Sequence, residues 1–476
     1  MEWVPLVIAG ERVEGGGRPA DVIDPATETV VARSATASVE DVDRAARAAA
    51  SAFPAWAQSA PSARARLLRR GAALIRERID ELARLLTLEQ GKPLREARSE
   101  IQAGIDALEY YAEETRRIAG EILPNDNPNR RSLVIRQPVG PVAAIGPWNY
   151  PVLLLAWKVA PALAAGCTLV VKPPSATPVA VSRFLECLME AGAPAGVINI
   201  VIGPGATVGT SLVKHPAIRK IAFTGQTETG KAIMAMASDG VKRISLELGG
   251  HCPLLVFPDA PLDAAAKAGV YRAFRNAGQI CNAINRVYVH RDIYRPYVEA
   301  FVEETRRLRL GPGLDDPDLG PMTTREGREK VEEHVADARA RGATVACGGA
   351  RPAEFSRGFF YQPTVLLDVD HSMKVMREET FGPVAPIMPF ATMEEAVAMA
   401  NDTPYGLVAY AFTRDLRTAM VVAERLEAGT VGINNVAGGE VPFPYGGWKE
   451  SGLGIELSHH GLEEYLLVKH IRLELL

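Results

Sequence analysis

Cysteine is scarce in this chain: five in 476 residues, at Cys167, Cys187, Cys252, Cys281 and Cys347, odd in number and never as a CxxC pair. That pattern excludes a disulfide framework and a cysteine-built zinc centre, predicts no metal, and points to a reducing, cytoplasmic setting. An excess of either charge is missing too. Fifty-three basic residues against 57 acidic ones leave a net charge of −4, which offers nothing to nucleic acid or to an anionic membrane surface. No apolar run spans a bilayer; the nearest, Pro151 to Leu169, is broken by Lys158, Pro161 and Gly166. Met1 to Gly10 lacks the basic start and long apolar core of a secretory signal. What remains, 47% apolar and 23% charged residues, is the composition of a soluble globular protein whose length calls for two or three domains.

The periodicities divide the chain. Short strands and turns are expected up to Val31, then helices from Val39 to Gly120, with Gly91-Lys92-Pro93 dividing two of them. A polar link, Leu123 to Arg130, precedes an alternating segment, Arg131 to Arg136, that reads as a strand. Apolar runs then alternate with helices: Val142 to Ile145, Thr168 to Lys172, Val197 to Val201, Ile221 to Phe223 and Ile244 to Leu248. That order predicts a doubly wound parallel sheet. A second α/β series starts with a helix, Leu262 to Phe274, and strands at Val287–His290, Thr364–Leu367, Ala385–Phe390, Leu407–Phe412 and Val431–Ile433. The domain boundary is placed at Gly249-Gly250. The tail, Glu463 to Leu476, alternates like an edge strand and is expected to pair with another subunit.

Two segments next to that boundary carry reactive groups. Phe274-Arg275-Asn276-Ala277-Gly278-Gln279-Ile280-Cys281 ends in a thiol, and Leu246-Glu247-Leu248-Gly249-Gly250 presents a lone carboxylate. A thiolate is a nucleophile and a nearby carboxylate is a base, although a buried structural cysteine and a surface glutamate would read the same. Phe223 to Gly230 is a glycine turn from strand to helix, a place for a phosphate but not a GxGxxG fingerprint. In Gly146-Pro147-Trp148-Asn149-Tyr150-Pro151 the Asn149 amide either faces an oxyanion or caps the following helix. Lys172-Pro173-Pro174-Ser175 ends a strand, where Lys172 meets either a ribose and phosphate or only solvent.

From about Val22 to Leu476 the chain resembles the aldehyde dehydrogenase superfamily. The resemblance rests on PWNYP (147–151), WKVAPALAAGC (157–167), KPPSATP (172–178), FTGQTETG (223–230), LELGG (246–250), FRNAGQIC (274–281), EETFGP (378–383) and PYGGWKESGLG (444–454), and is nearest to the succinate-semialdehyde dehydrogenase branch. It implies an α/β fold: a doubly wound NAD(P)-binding domain (1–121 and 140–248), an α/β catalytic domain (249–442) and a small β oligomerisation arm (122–139 and 461–476) of a homodimer or homotetramer. It also implies hydrolytic, not CoA-acylating, oxidation of an aldehyde. Cys281 would form a thiohemiacetal and then a thioester, Asn149 would hold the oxyanion, and Glu247 would activate water. Trp148, Lys172, Ser175, Gly225, Gln226, Gly230, Glu379 and Phe381 would bind the cofactor. Tyr150, Trp157, Arg275 and Tyr445 would shape the substrate pocket.

Several positions depart from the family. Gln226 replaces a serine in the phosphate turn. Ser175 stands where NAD-preferring relatives carry a glutamate, so NADP is expected to be accepted, alongside or ahead of NAD. Trp157 replaces an arginine of the succinate-semialdehyde branch and Gly439-Glu440 lacks its serine contact, leaving Arg275 alone of that anion pocket. A four-carbon dicarboxylic semialdehyde is therefore expected to be a mediocre substrate. Arg275 would pair with a substrate anion or with a protein carboxylate, Glu440 being the candidate. Two other readings compete: a cysteine-dependent acyltransferase or hydrolase, disfavoured because no motif segment contains a histidine, and an inactive structural member of the fold, disfavoured because Cys281, Glu247 and Asn149 are all present.

Overall fold

Runs without a polar face, such as Val142–Ile145 and Leu169–Lys172, are buried along their whole length and form the middle of a sheet covered on both sides. The computed structural model describes residues 2–475; Met1 and Leu476, at the ends of two ranges assigned above, lie outside the described residues. The first sheet has eight strands, in the order Gly452–Leu453, Arg243–Glu247, Lys220–Thr224, Val142–Ile145, Leu169–Lys172, Ile198–Ile200, Leu6–Ile8 and Glu11–Val13. Its central pairs are parallel and its outer pairs antiparallel. The helix Pro151–Ala165 is buried at every position but Leu153, which explains why its sequence came nearest to a membrane span. Among the described residues no helix is long and apolar enough to cross a membrane.

The second sheet has seven strands, in the order Thr344–Cys347, Thr364–Leu367, Val384–Phe390, Ile284–His290, Cys252–Val256, Val408–Phe412 and Thr430–Ile433. All its pairs are parallel except the first. Consecutive strands Arg243–Glu247 and Cys252–Val256 therefore lie in different sheets, and Glu247 is the last residue of the first. Gly250 sits between them with no room for a side chain: a Cβ there would stand 2.2 Å from the Cys281 carbonyl oxygen. That close approach holds the Glu247 segment against the nucleophile segment.

Two features were not legible beforehand. The strand Gly452–Leu453 returns from near the C-terminus to pair with Leu246 and Glu247, so the PYGGWKESGLG stretch closes over the carboxylate. Ser451 completes the join, its carbonyl accepting from Leu248 N–H at 2.8 Å and its hydroxyl donating to the Gly249 carbonyl at 2.6 Å. One edge of the tail is used within the chain: Leu466–Glu474 pairs along its whole length with Arg130–Pro138, two alternating segments of matching length in antiparallel register. Glu121–Leu123 completes this small sheet, whose outer edge, Leu466–Glu474, pairs with no further strand among the described residues.

Candidate active site

A cavity of about 890 Å³ runs along the strand ends of the first sheet, from Ser175 to Cys281. Its wall includes Trp148, Asn149, Lys172, Gly225, Gln226, Glu379 and Phe381, so eight of the residues singled out in the sequence, with Ser175, converge on it and lead to the thiol. Lys172 is buried, its ammonium touches only its neighbour's carbonyl at 3.4 Å, and burial pulls its pKa down to about 8. A buried ammonium with so little satisfaction suits the hydroxyls and phosphates of a dinucleotide. Gln226 is the N-cap of helix Thr227–Ser238 but makes no side-chain cap, which leaves that helix start open to an anion. Trp148 and Phe381 meet edge to face, ring centres 5.5 Å apart, next to the thiol end of the cavity.

Gly230 does not itself wall the cavity; a Cβ there would come within 2.5 Å of Leu248 Cδ2, so its glycine admits the packing of helix against strand.

The nucleophile turn is strained. Helix Leu262–Phe274 stops at Arg275, and Asn276 (φ 50°), Ala277 (φ 54°) and Gly278 (φ 70°) follow in left-handed conformations. Non-glycine residues hold that conformation only when their surroundings impose it. Asn276 N–H donates to Glu96 Oε2 at 3.1 Å, and its amide donates to the carbonyls of Asn149 and Gln279, both at 3.2 Å. Gln90 Nε2 donates to Asn276 Oδ1 at 3.1 Å, and Thr323 N–H donates to Gln279 Oε1 at 2.9 Å. Gly278 packs so tightly on the EETFGP loop that a Cβ would stand 2.1 Å from the Gly382 carbonyl oxygen. Asn149 does not cap the next helix, whose N-cap is Tyr150; its Nδ2 donates to the Gln279 carbonyl at 3.1 Å, two residues before Cys281.

One buried carboxylate flanks the thiol. Glu247 is 1% exposed, neither of its oxygens has a hydrogen-bond partner, and burial, followed by the charge of Glu456, pushes its pKa up to about 7. Desolvation and then the Glu247 charge hold the Cys281 thiol well above the ordinary cysteine range. The sulfur therefore rests as a thiol, beside a carboxyl group that titrates near neutrality. Glu379 is also pushed up to about 7 by burial, but its Oε1 accepts from Gly250 N–H at 3.0 Å. No imidazole takes part: His251, next after Gly250, places its Nε2 3.2 Å from the Val375 carbonyl.

On the substrate side, the Tyr445 hydroxyl lies 3.8 Å from Cys281 Sγ and accepts from Asn282 Nδ2 at 3.3 Å. Trp157 packs on Tyr445 with ring centres 5.5 Å apart, and Gly439 fits between them and Leu457. Arg275 does not meet Glu440, which makes no ion pair among the described residues. Its carboxylate neighbour is Glu96, 3.9 Å from its Nε, and that Nε has no hydrogen-bond partner. The Tyr150 hydroxyl and the Trp157 indole N–H are likewise buried without partners.

Sequence reasoning missed the supports. Lys92, read only as a divider between helices, is buried. Its Nζ donates to the Asn149 carbonyl at 2.8 Å and to Glu100 Oε2 at 2.5 Å, and lies 3.6 Å from the centre of the Tyr150 ring. Lys158 Nζ donates to Glu456 Oε1 and to Thr224 Oγ1, each at 2.6 Å, just behind Glu247. Gly205, Ala206, Gly209 and Lys330 wall the cavity as well; the glycine-rich run Gly203 to Gly209 after a strand was the available signal.

The model of the aldehyde dehydrogenase family matches residues 13–471. The NADP(+) succinate-semialdehyde dehydrogenase of Escherichia coli strain K12 is 43% identical over 467 residues, 98% of this chain and 96% of that protein. A 3-sulfolactaldehyde dehydrogenase of Pseudomonas putida is 43% identical over 451 residues, 94% of this chain and 92% of that protein. A solved betaine aldehyde dehydrogenase of Staphylococcus aureus in complex with NAD+ superposes with a TM-score of 0.97 at 38% identity, covering 99% of this chain and 94% of that one. With its motifs assembled round one thiol and nearly its whole length matched, this chain belongs to the aldehyde dehydrogenase family and oxidises aldehydes to carboxylic acids with NAD(P) through a catalytic cysteine.

Proposed function

We propose that the substrate is a small or medium aldehyde with an anionic group at its far end. The observation that carries this is the trio of buried donors without partners on the substrate side: Arg275 Nε, the Tyr150 hydroxyl and the Trp157 indole N–H. Unpaired buried donors are costly, and a ligand rich in acceptors relieves the cost. Glu96 offsets part of the Arg275 charge, but its Oε2 already accepts from Asn276 N–H. Two relatives of 43% identity are named for a succinate semialdehyde and a 3-sulfolactaldehyde, one a carboxylate and the other a sulfonate.

In this reading Cys281 releases its proton to solvent and its sulfur bonds to the aldehyde carbon. The Asn149 amide, with one N–H spent on Gln279, turns the other to the new oxyanion together with the Cys281 backbone N–H. The nicotinamide cofactor, held by Lys172, Ser175, Gly225, Gln226, Glu379 and the Trp148–Phe381 pair, supplies the acceptor for the hydride. Glu247 then deprotonates the water that splits the Cys281 thioester, and the carbon–sulfur bond breaks to free the acid. Residues 1–121 and 140–248 serve as the NAD(P) domain and 249–442 as the catalytic domain. Exposed Ile122, Val468 and Leu473 on the small sheet support an arm at 122–139 and 461–476 that joins two or four copies, and five free thiols support a cytoplasmic location.

The test is Arg275→Leu assayed on an anionic and a neutral aldehyde of matched length. The expected result is a loss in kcat/KM of about tenfold or more on the anionic substrate only, the scale of a hydrogen bond to a charge. Equal losses on both would make Arg275 structural. For the cofactor, Ser175→Glu places a carboxylate at the adenosine end and is expected to lower the NADP-to-NAD ratio of kcat/KM by about tenfold or more; an unchanged ratio would remove Ser175 from cofactor choice.

A further inference from the structure

Helix Arg325–Ala340 has two working faces. Glu326, Gly327 and Lys330 wall the cofactor cavity, whereas Arg325 and Arg328 face a separate cavity of about 200 Å³ closed by the loop at 351–360. Four guanidiniums, those of Arg325, Arg328, Arg351 and Arg357, line this second cavity against one carboxylate, Glu28. Some of that charge is already balanced. Arg325 pairs with Glu28 at 2.5 Å, and Arg351 grips Glu332 with a two-pronged contact at 2.5 and 2.7 Å. The remainder is balanced less closely, by a long Arg328–Glu332 ion pair. Arg357 makes no ion pair among the described residues, and Arg328, 5% exposed, spends one N–H on the Gly358 carbonyl at 2.9 Å. Its Nε, 3.6 Å from Glu332, has no hydrogen-bond partner. Burial and the like charge of Arg351 both act against the Arg328 charge. Phe355 and Phe360, stacked with ring centres 4.1 Å apart, supply an apolar wall.

We propose that this cavity binds a phosphoryl group, either as free phosphate or as the head of a phosphate monoester. Several guanidiniums converging on a small space recognise a compact anion with several acceptor oxygens better than a flat carboxylate, and Arg is the side chain suited to phosphate. The buried Arg328, whose Nε makes no hydrogen bond, and the exposed Arg357 supply donors to the cavity. Ser356 adds a hydroxyl to the same wall. The aryl pair beside them gives the organic part of a monoester an apolar surface.

The test is isothermal titration calorimetry on the full-length enzyme saturated with NADP, so that phosphate sites in the cofactor cavity are filled. Inorganic phosphate and phenyl phosphate are the probes, with chloride at matched ionic strength as control. One site per chain is expected. Arg357→Glu should weaken binding about tenfold or more, and Glu28→Gln, which removes the one carboxylate lining the cavity, should tighten it. Neither residue belongs to the catalytic or cofactor site, so turnover at saturating substrates stays at the wild-type level. Tighter binding of phenyl phosphate than of phosphate identifies the monoester as occupant; equal binding identifies free phosphate. The proposal is overturned if phosphate binds no better than chloride, or if Arg357→Glu leaves the affinity unchanged.

Discussion

Two buried lysine–glutamate pairs stand on either side of the nucleophile, and they differ in one respect. In the pair Lys92–Glu100 every group is used: Lys92 holds the Asn149 carbonyl, and Glu100 Oε1 accepts from Val152 and Leu153 N–H at 2.9 and 3.2 Å, capping the helix that follows Asn149. In the pair Lys158–Glu456 one oxygen of Glu456 has no partner, and neither oxygen of the nearby Glu247 has one. The first pair is saturated and rigid; it positions the amide. The second leaves acceptor capacity where a proton and a water must be handled. A fully bonded buried charge is scaffold, and a deliberately underbonded one is chemistry.

Breaking the saturated pair should have the largest effect. Lys92→Met strands Glu100 in the interior and is expected to cost about 3–5 kcal/mol of stability by urea unfolding. The double variant Lys92→Met with Glu100→Leu should recover most of that loss without restoring full turnover, since the Asn149 carbonyl keeps only its Asn276 contact. A single variant as stable as wild type would dissolve the distinction between the pairs. On the underbonded side, Glu247→Gln should lower steady turnover by about 10²-fold while a burst of reduced cofactor survives, the signature of a lost base in hydrolysis. Disappearance of the burst would place Glu247 before hydride transfer.

The smallest effect sharpens the contrast. Glu247 has a raised pKa of about 7, so hydrolysis should rise with pH through that value as the carboxylate ionises. Glu456 contributes to the rise by like-charge repulsion, second to burial. Glu456→Gln removes that repulsion and favours the ionised form, so the acid limb of the pH–rate profile should move to lower pH. A limb that stays in place, or moves up, would show that Glu456 does not act on Glu247.

The chemistry was legible because each reactive group sits in a short string with its own turn residues: Cys281 after a helix, Glu247 at a strand end, Lys172 before two prolines. The alternation of apolar runs gave away two parallel sheets for the same local reason. The supports were not legible, because they come from other elements: Gln90 and Glu96 reach the turn, and Lys92 reaches Asn149, from the helical N-terminal third, and Thr323 comes from beyond the turn. Glu440 was the protein carboxylate the sequence offered Arg275 as an alternative to a substrate anion, whereas the packing of helix Leu94–Glu114 brings Glu96 instead. The packing of Leu248 on Gly230 was not legible, because a glycine in a phosphate turn and a glycine that admits a side chain look alike in one dimension.

The left-handed turn at Asn276–Gly278 has a consequence for how the enzyme comes into being. The hydrogen bonds that impose it span 186 residues to Gln90, 180 to Glu96 and 127 to Asn149. Contacts of such separation form late, once the intervening chain has closed its loops. Until then residues 275–281 are an ordinary flexible segment, and Cys281 is an ordinary thiol with ordinary acidity. The nucleophile is thus a product of tertiary assembly. During refolding, regained secondary structure should precede regained activity, and the catalytic thiol should be the last group to acquire its character.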